Sequence, residues 1–400
     1  MATKIQPPAA APVDYEKAEG LHEAPAEHVH GFDRATERRE WTFVAIGLTA
    51  LVAVLAMVVG IFAFATGGDD DATSAAPVAA TPAAAAPAPA SDTAAAPTLK
   101  DAKGVAFEKF ERVDPTLPAP VTKVDVDVYQ HVTQVSKDLA PTEVWSYAIN
   151  GKYIRGTGVS APIVVEQGTT VDFKLTNGTD KSMKVDLPHS LDFHSAEVNP
   201  GTRYADLAPG ESMSYEFDAK HAGVFMYHCA TQPVLMHTGA GMVGMMVVKP
   251  KNLPAVDREL WITQQEYYIG KPGKDADMAK MEANKPDVIA FNGFANQYKD
   301  HPITVKKDEK IRMYVLNAGP SVWSAFHVIG TVFDRTVIEG QVGRSAQTVN
   351  LAPSQGGWVE FTLDEEGTFP FVNHSFGNMV KGSLGVLATE NPPKGAGHSH

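Results

Sequence analysis

The chain contains a single cysteine, Cys229, in 400 residues. It lies in Tyr227-His228-Cys229-Ala230-Thr231-Gln232-Pro233-Val234-Leu235-Met236-His237-Thr238-Gly239-Ala240-Gly241-Met242, with a His eight residues after the Cys and a Met five after that His. Thiolate, imidazole and a weak thioether are the donors of a blue-copper electron-transfer site, which needs one further His. The span fits one loop between two strands, closing on a metal at the end of a sandwich. A lone Cys on a strand also reads as a small buried hydrophobe, and a Cys/His set can hold zinc. Met is not a zinc ligand, and the downstream His237 and Met242 in a Gly-rich loop favour copper. Adjacent side chains of a strand point to opposite faces. His228 and Cys229 can therefore serve two different metals, joined by a few covalent bonds.

With 44% hydrophobic residues the chain can bury a core, and its length suggests two or three domains. A formal charge of -13 argues against a nucleic-acid partner. One Cys excludes an internal disulfide framework. Residues 1–40 are polar, with Arg34, Arg38 and Arg39 close to an uncharged apolar run over 41–66. That run is long enough for a transmembrane helix. Basic residues before it and Asp69-Asp70-Asp71 after it put residues 1–40 in the cytoplasm and the rest on the extracytoplasmic side. A cleaved signal peptide is the competing reading, opposed by the long leader and the length of the run. Residues 67–103, mainly Ala, Pro, Thr and Asp, read as a disordered tether. Fully extended, it would reach on the order of 100 Å, at about 3 Å per residue. The tail 391–400 and the pair His28 and His30 read as solvated.

Residues 104–250 read as β. Val121 to Val128 largely alternates apolar and polar, and strand-length runs follow at 144–149, 161–165 and 170–175 between Gly, Asn and Pro. Pro250 to Val256 reads as a linker. Residues 251–390 repeat the plan, with strands at 260–263, 287–291 and 310–316 and a short helix near Asp275–Ala283. The repeat is visible in letters. Asp206-Leu-Ala-Pro-Gly precedes Gly223-Val-Phe-Met-Tyr-His-Cys, as Asn350-Leu-Ala-Pro-Ser precedes Gly367-Thr-Phe-Pro-Phe-Val-Asn-His. Pro188-His-Ser-Leu-Asp-Phe-His pairs with Ser321-Val-Trp-Ser-Ala-Phe-His. The expected fold is all-β, two tandem Greek-key sandwiches after one transmembrane helix and a disordered linker. The second copy has Val322 for His189 and Asn373 at or next to the Cys229 position, so it cannot build the thiolate site. It keeps His327 opposite His194, and His374.

The stretch His189-Ser190-Leu191-Asp192-Phe193-His194, read as a strand, supplies the missing imidazole in His189. His194 with His228 could hold a second metal by imidazole alone, with Asp192 between His189 and His194.

These motifs resemble the copper-containing nitrite reductases, two-domain cupredoxin enzymes that form trimers. The resemblance runs from about 105 to 390. It rests on His189-x-x-Asp192-Phe193-His194, on His228-Cys229 with His237 and Met242, on Phe326-His327-Val328-Ile329-Gly330 and on Val372-Asn373-His374. It implies a type 1 copper on His189, Cys229, His237 and Met242. It implies a type 2 copper on His194 and His228 with His374 from the neighbouring subunit, two coppers per subunit in all. Asp192 and His327 would handle protons, and Ile329 would cap the nitrite pocket. The donor would be a small cytochrome c or cupredoxin, or a membrane electron-transfer chain. Three departures stand out: Ser190-Leu191 for the usual Asn-Val, Ser195-Ala196-Glu197 for a small Ala/Gly-rich run, and Met236 where some members carry Trp.

Two other classes compete. A two-domain, laccase-like multicopper oxidase needs His-x-His pairs and a His-Cys-His segment. Residue 230 is Ala, and no His-x-His occurs between 104 and 390. A non-enzymatic copper electron-transfer protein would need only the type 1 set, leaving Asp192, His194, His327 and His374 without a role.

Overall fold

The computed structural model describes residues 94–178 and 185–393. The expected cytoplasmic tail 1–40, the anchor 41–66, most of the tether and the end of the tail 391–400 lie outside the described residues. No helix among the described residues is long and apolar enough to cross a membrane.

The first half forms β1 (Lys123–Thr133), β2 (Thr142–Ile149), β3 (Ile163–Glu166), β4 (Thr170–Thr176), the two-residue β5 (Asp192–Phe193), β6 (Ser212–Asp218), β7 (Gly223–His228) and β8 (Val243–Lys249). They make two four-stranded sheets, ordered β2-β1-β4-β6 and β3-β8-β7-β5. β4 shows why. Its alternate Val171, Phe173 and Leu175 turn into the core between the sheets, and Asp172 and Lys174 turn out.

The second half forms β9 (Arg258–Tyr267), β10 (Val288–Phe291), β11 (Ile303–Val305), β12 (Lys310–Gly319), β13 (Ser324–Val328), β14 (Arg335–Ile338), β15 (Gln341–Gly343), β16 (Val349–Leu351), β17 (Gly356–Thr362), β18 (Thr368–Asn373) and β19 (Leu384–Thr389). Its sheets are ordered β10-β9-β12-β17-β14-β15 and β11-β19-β18-β13-β16. Leu260, Phe326, Phe361 and Phe371 belong to the core that both sheets share. Both halves mix antiparallel pairs with parallel ones, β1 with β4 and β3 with β8, then β9 with β12 and β11 with β19. The helices are short: α1 (Pro200–Arg203), α2 (Val234–Gly239), α3 (Met278–Glu282), α4 (Gln297–Asp300) and α5 (Phe376–Met379).

β8 does not alternate. It is buried almost throughout, because it is covered on both faces. Met246 and Val248 face their own sandwich, whereas Met245 and Val247 join Trp261, Tyr314 and Trp358 in a core between the two halves. Glycine permits a close approach between the halves: a Cβ on Gly356 would sit 2.8 Å from the Val224 carbonyl oxygen. The sheet that ends in His228 is thus clamped from both sides.

Four local expectations need correction. The end of the 67–103 tether is docked. The Thr98 N–H and hydroxyl both donate to Asp101 Oδ2 at 2.7 Å, starting a 3-10 turn whose Ala102 is buried. Leu99 N and Ala140 N then bond to Asp138 O and Pro97 O at 3.1 and 2.9 Å. Residues 113–117, counted with the first sandwich, run along the second. Val113 N donates to Gln297 Oε1 at 3.0 Å and Leu117 N to Glu259 O at 3.1 Å. The stretch 189–194 is a strand only at Asp192–Phe193, and His189 is instead held by paired backbone bonds to Leu207 of 3.0 and 2.9 Å. The loop between Cys229 and Met242 contains α2, started after Pro233, which is pre-set for a helix entry.

Candidate metal centres

β7 ends at His228, and Cys229 is the next residue. The segment returns through α2, whose His237 carbonyl accepts Met242 N at 3.1 Å, and the Met242 carbonyl accepts Cys229 N at 3.1 Å. These bonds bring Cys229, His237 and the fully buried Met242 to one end of the first sandwich. His189 arrives from the neighbouring segment. Its Nδ1 lies 3.1 Å from His237 Nδ1 and 4.0 Å from Cys229 Sγ, and His237 Nδ1 is 3.4 Å from Sγ. Two nitrogens each about 2 Å from a tetrahedral metal stand about 3.3 Å apart, so the cage has the size of one such ion. Two imidazoles and a thiol aimed at one point fit a thiophilic metal such as copper.

Burial keeps these rings neutral and able to ligate. Desolvation, with repulsion from His237 second, pushes His189 down to about 3. Burial also lowers His237. Trp145 on β2 is packed against both, its ring 5.1 Å from His237 and 5.5 Å from His189. Ser190 N donates to Cys229 Sγ at 3.4 Å, and Ser190 Oγ accepts Ala230 N at 3.1 Å and Thr231 Oγ1 at 3.0 Å. Sequence reading noted Ser190 only as a departure and Trp145 only as part of a strand. Trp in a strand is an ordinary core residue by pattern, so no signal marked its partners.

On the other side of the same chain segment, His228 Nε2 lies 3.1 Å from His194 Nε2. His228 Nδ1 donates to the Cys229 carbonyl at 2.9 Å, which fixes the tautomer and leaves Nε2 to ligate. Asp192 Oδ2 is 3.8 Å from His228 Nε2, so Asp192, His194 and His228 form a second, more open group. Burial, then repulsion from His228, lowers His194.

The remaining expected residues lie on the second sandwich. His327 is on β13, and its Nδ1 bonds to the Gln347 carbonyl. His374 follows β18, with its ring 5.6 Å from that of His327. Ile329, half-buried, follows β13 and donates its N–H to Pro370 O at 2.7 Å. Among the described residues of one chain, neither His327 nor His374 joins the group of His194 and His228. Asn373 ends β18, and its amide donates to Gln264 Oε1 at 3.0 Å and Trp323 O at 3.1 Å and accepts Ala325 N at 3.1 Å, so its side chain is fully engaged in hydrogen bonds.

Residues 131–253 match the family described as multicopper oxidase. A copper-containing nitrite reductase of Neisseria gonorrhoeae is 34% identical over 357 residues, covering 84% of this chain and 87% of that protein. The chain belongs to the copper-containing nitrite reductase family. The copper nitrite reductase of Nitrosomonas europaea has a similar structure, with a TM-score of 0.60 at 28% identity, over 67% of this chain and 94% of that one. A multicopper oxidase structure at 22% identity has a TM-score of 0.57 over 74% of this chain and 98% of its own, and shares the fold. The cupredoxin-like, mainly β architecture expected from the sequence is therefore that of the copper-containing nitrite reductases.

Proposed function

We propose that the chain reduces nitrite to nitric oxide, taking up one electron and two protons and releasing water. His189, Cys229, His237 and Met242 would hold a type 1 copper. His194 and His228 would hold a type 2 copper, completed by His374 of a neighbouring copy. The observation that carries the reading is the placement of two ligand groups back to back on adjacent residues, His228 and Cys229. Copper would supply one-electron storage at the buried group and a Lewis acid for the oxyanion at the open one.

The chain's own residues supply the rest. The Cys229 carbonyl holds the His228 ring through Nδ1, so the two groups are linked by a hydrogen bond as well as by covalent bonds. Asp192, beside His228, is the proton donor to the departing oxygen. His327, with Nδ1 engaged by Gln347, presents Nε2 as its proton-exchanging atom. Ile329 would limit the pocket to a small anion. The third imidazole, His374, is beside His327 within its own chain, which supports a homotrimer with shared centres. The anchor read at 41–66 would hold the enzyme on the extracytoplasmic face. There a cytochrome c, a cupredoxin or the membrane chain would deliver electrons.

Copper analysis of the purified full chain together with nitrite-dependent nitric oxide release tests the reading. Two coppers per subunit and nitric oxide release are expected. One copper per subunit with no nitric oxide would overturn it in favour of an electron carrier.

A further inference from the structure

We propose that Met281, from the second sandwich, is a positioning residue for the copper ligand His237 in the first. The inference rests on the type 1 reading above and names what holds that ligand in place. His237 is carried by α2, a helix of six residues. A helix that short has no stability of its own and takes its position from what it packs against. Its neighbour is α3, which belongs to the connection between the antiparallel strands β9 and β10. At the contact, α2 presents Gly239 and α3 presents Met281, which is buried. A Cβ on Gly239 would lie 2.7 Å from Met281 Sδ and 2.8 Å from its Cε. The thioether fills the volume a side chain at position 239 would take, two residues from the ligand.

Met281 is itself rigidly held. Lys280, equally buried, donates Nζ to the Ile269 carbonyl at 2.8 Å and to both oxygens of Asp287 at 3.1 and 2.9 Å. Asp287 Oδ2 also accepts Ile269 N at 2.7 Å, and Asp277 caps α3 by accepting Lys280 N at 3.2 Å. The same connection grips the first sandwich a second time. The Lys274 carbonyl accepts Glu143 N at 2.9 Å and Thr142 Oγ1 at 3.2 Å, and Gly273 N donates to Pro141 O at 2.7 Å. These residues begin β2, which carries Trp145. Trp145 N donates to Ala240 O at 3.0 Å, just past α2. His237 therefore sits between an indole and a helix contact, and the β9–β10 connection of the other sandwich sets both. Groups hydrogen-bonded to a metal ligand typically change metal affinity 10–100-fold when removed; Met281 acts one step further out, through its packing on Gly239.

The test uses the copper-loaded full chain, a carboxylate chelator, and two readouts: the visible thiolate-to-copper band and the paramagnetic signal of the second copper. Met281→Ala is expected to shift the band and to speed its loss to the chelator at least tenfold, with the second copper retained as in wild type. Met281→Leu, of similar volume, is expected to restore wild-type behaviour. Adding Gly239→Ala to Met281→Ala is expected to recover part of the loss, because the new methyl refills the gap. A wild-type band and release rate in Met281→Ala would overturn the proposal. If Met281→Ala does not fold, Gly239→Ala is read the same way, and an unchanged band and release rate there would overturn it. A wild-type protein with no visible band would instead overturn the type 1 assignment itself.

Discussion

Cys229 Sγ accepts a hydrogen bond from the Ser190 peptide N–H, a charge-assisted contact once the thiol is ionised by a metal. The Ser190 hydroxyl also accepts hydrogen bonds from Ala230 N and Thr231 Oγ1, so the residues on either side of the thiol are tied together by a network. Replacing Cys229 with Ala should abolish the intense visible absorption and leave the second copper's paramagnetic signal. Survival of the band, read by optical spectroscopy, would contradict the type 1 assignment. Asp192 is the residue whose role the geometry leaves most sharply testable, since it lies close enough to His228 to be counted with the ligands. As a proton donor, its change to Asn should keep copper content and lower nitrite turnover by roughly 10²-fold. As a brace for the ligand segment, the same change should lower copper content in step with turnover. Metal analysis beside turnover separates the two.

At the scale of elements, the connection between β9 and β10 is pinned in part by a buried ion pair, Lys280 with Asp287 at 2.9 Å. Breaking such a pair from one side strands a charge and costs about 3 kcal/mol or more. Asp287→Ala should therefore lower the denaturation midpoint strongly. Adding Lys280→Met should return part of the loss, and thermal melts of the wild type and the two variants would show it. Strands of both sandwiches were legible in the sequence. β4 alternates cleanly because one face meets the core, and β10 and β12 follow their apolar runs. α2 was not legible. Six residues are too few to show a helical period, and Gly239 and Gly241 made the stretch read as loop. β5 was overestimated for the opposite reason. Polar and apolar residues alternate from Ser190 to His194, but paired bonds to Leu207 engage His189 outside the sheet.

At the scale of the whole molecule, the two ligand groups were readable because chemistry announced them. A single Cys, its adjacent His and spaced imidazoles have few other uses. The second sandwich was readable as a repeat, and the loss of its thiolate site was visible as Asn373. What no local pattern could show was that sheets from both halves share a core, or that one half braces a ligand of the other. Those contacts join residues far apart in sequence. The proposed sharing of His374 between copies belongs to this scale too. Inactive His374→Ala subunits mixed with inactive His194→Ala subunits should regain part of the activity, since one class of junction then carries all three imidazoles. Verified mixed trimers with no nitric oxide release would exclude a centre shared between chains.

The place of His228 and Cys229 at the end of β7 has an evolutionary consequence. A strand counts in twos, so shifting it by a single residue turns every following side chain to the opposite face. Here Tyr227 opposes Gly244 and His228 opposes Val243. Inserting or deleting one residue before His228 would send the thiol towards His194 and the imidazole into the sandwich, disabling both centres together. Substitutions along β7 can be repaired one at a time, but a change in its length cannot. Along that strand a change of length is thus constrained more tightly than a change of residue type.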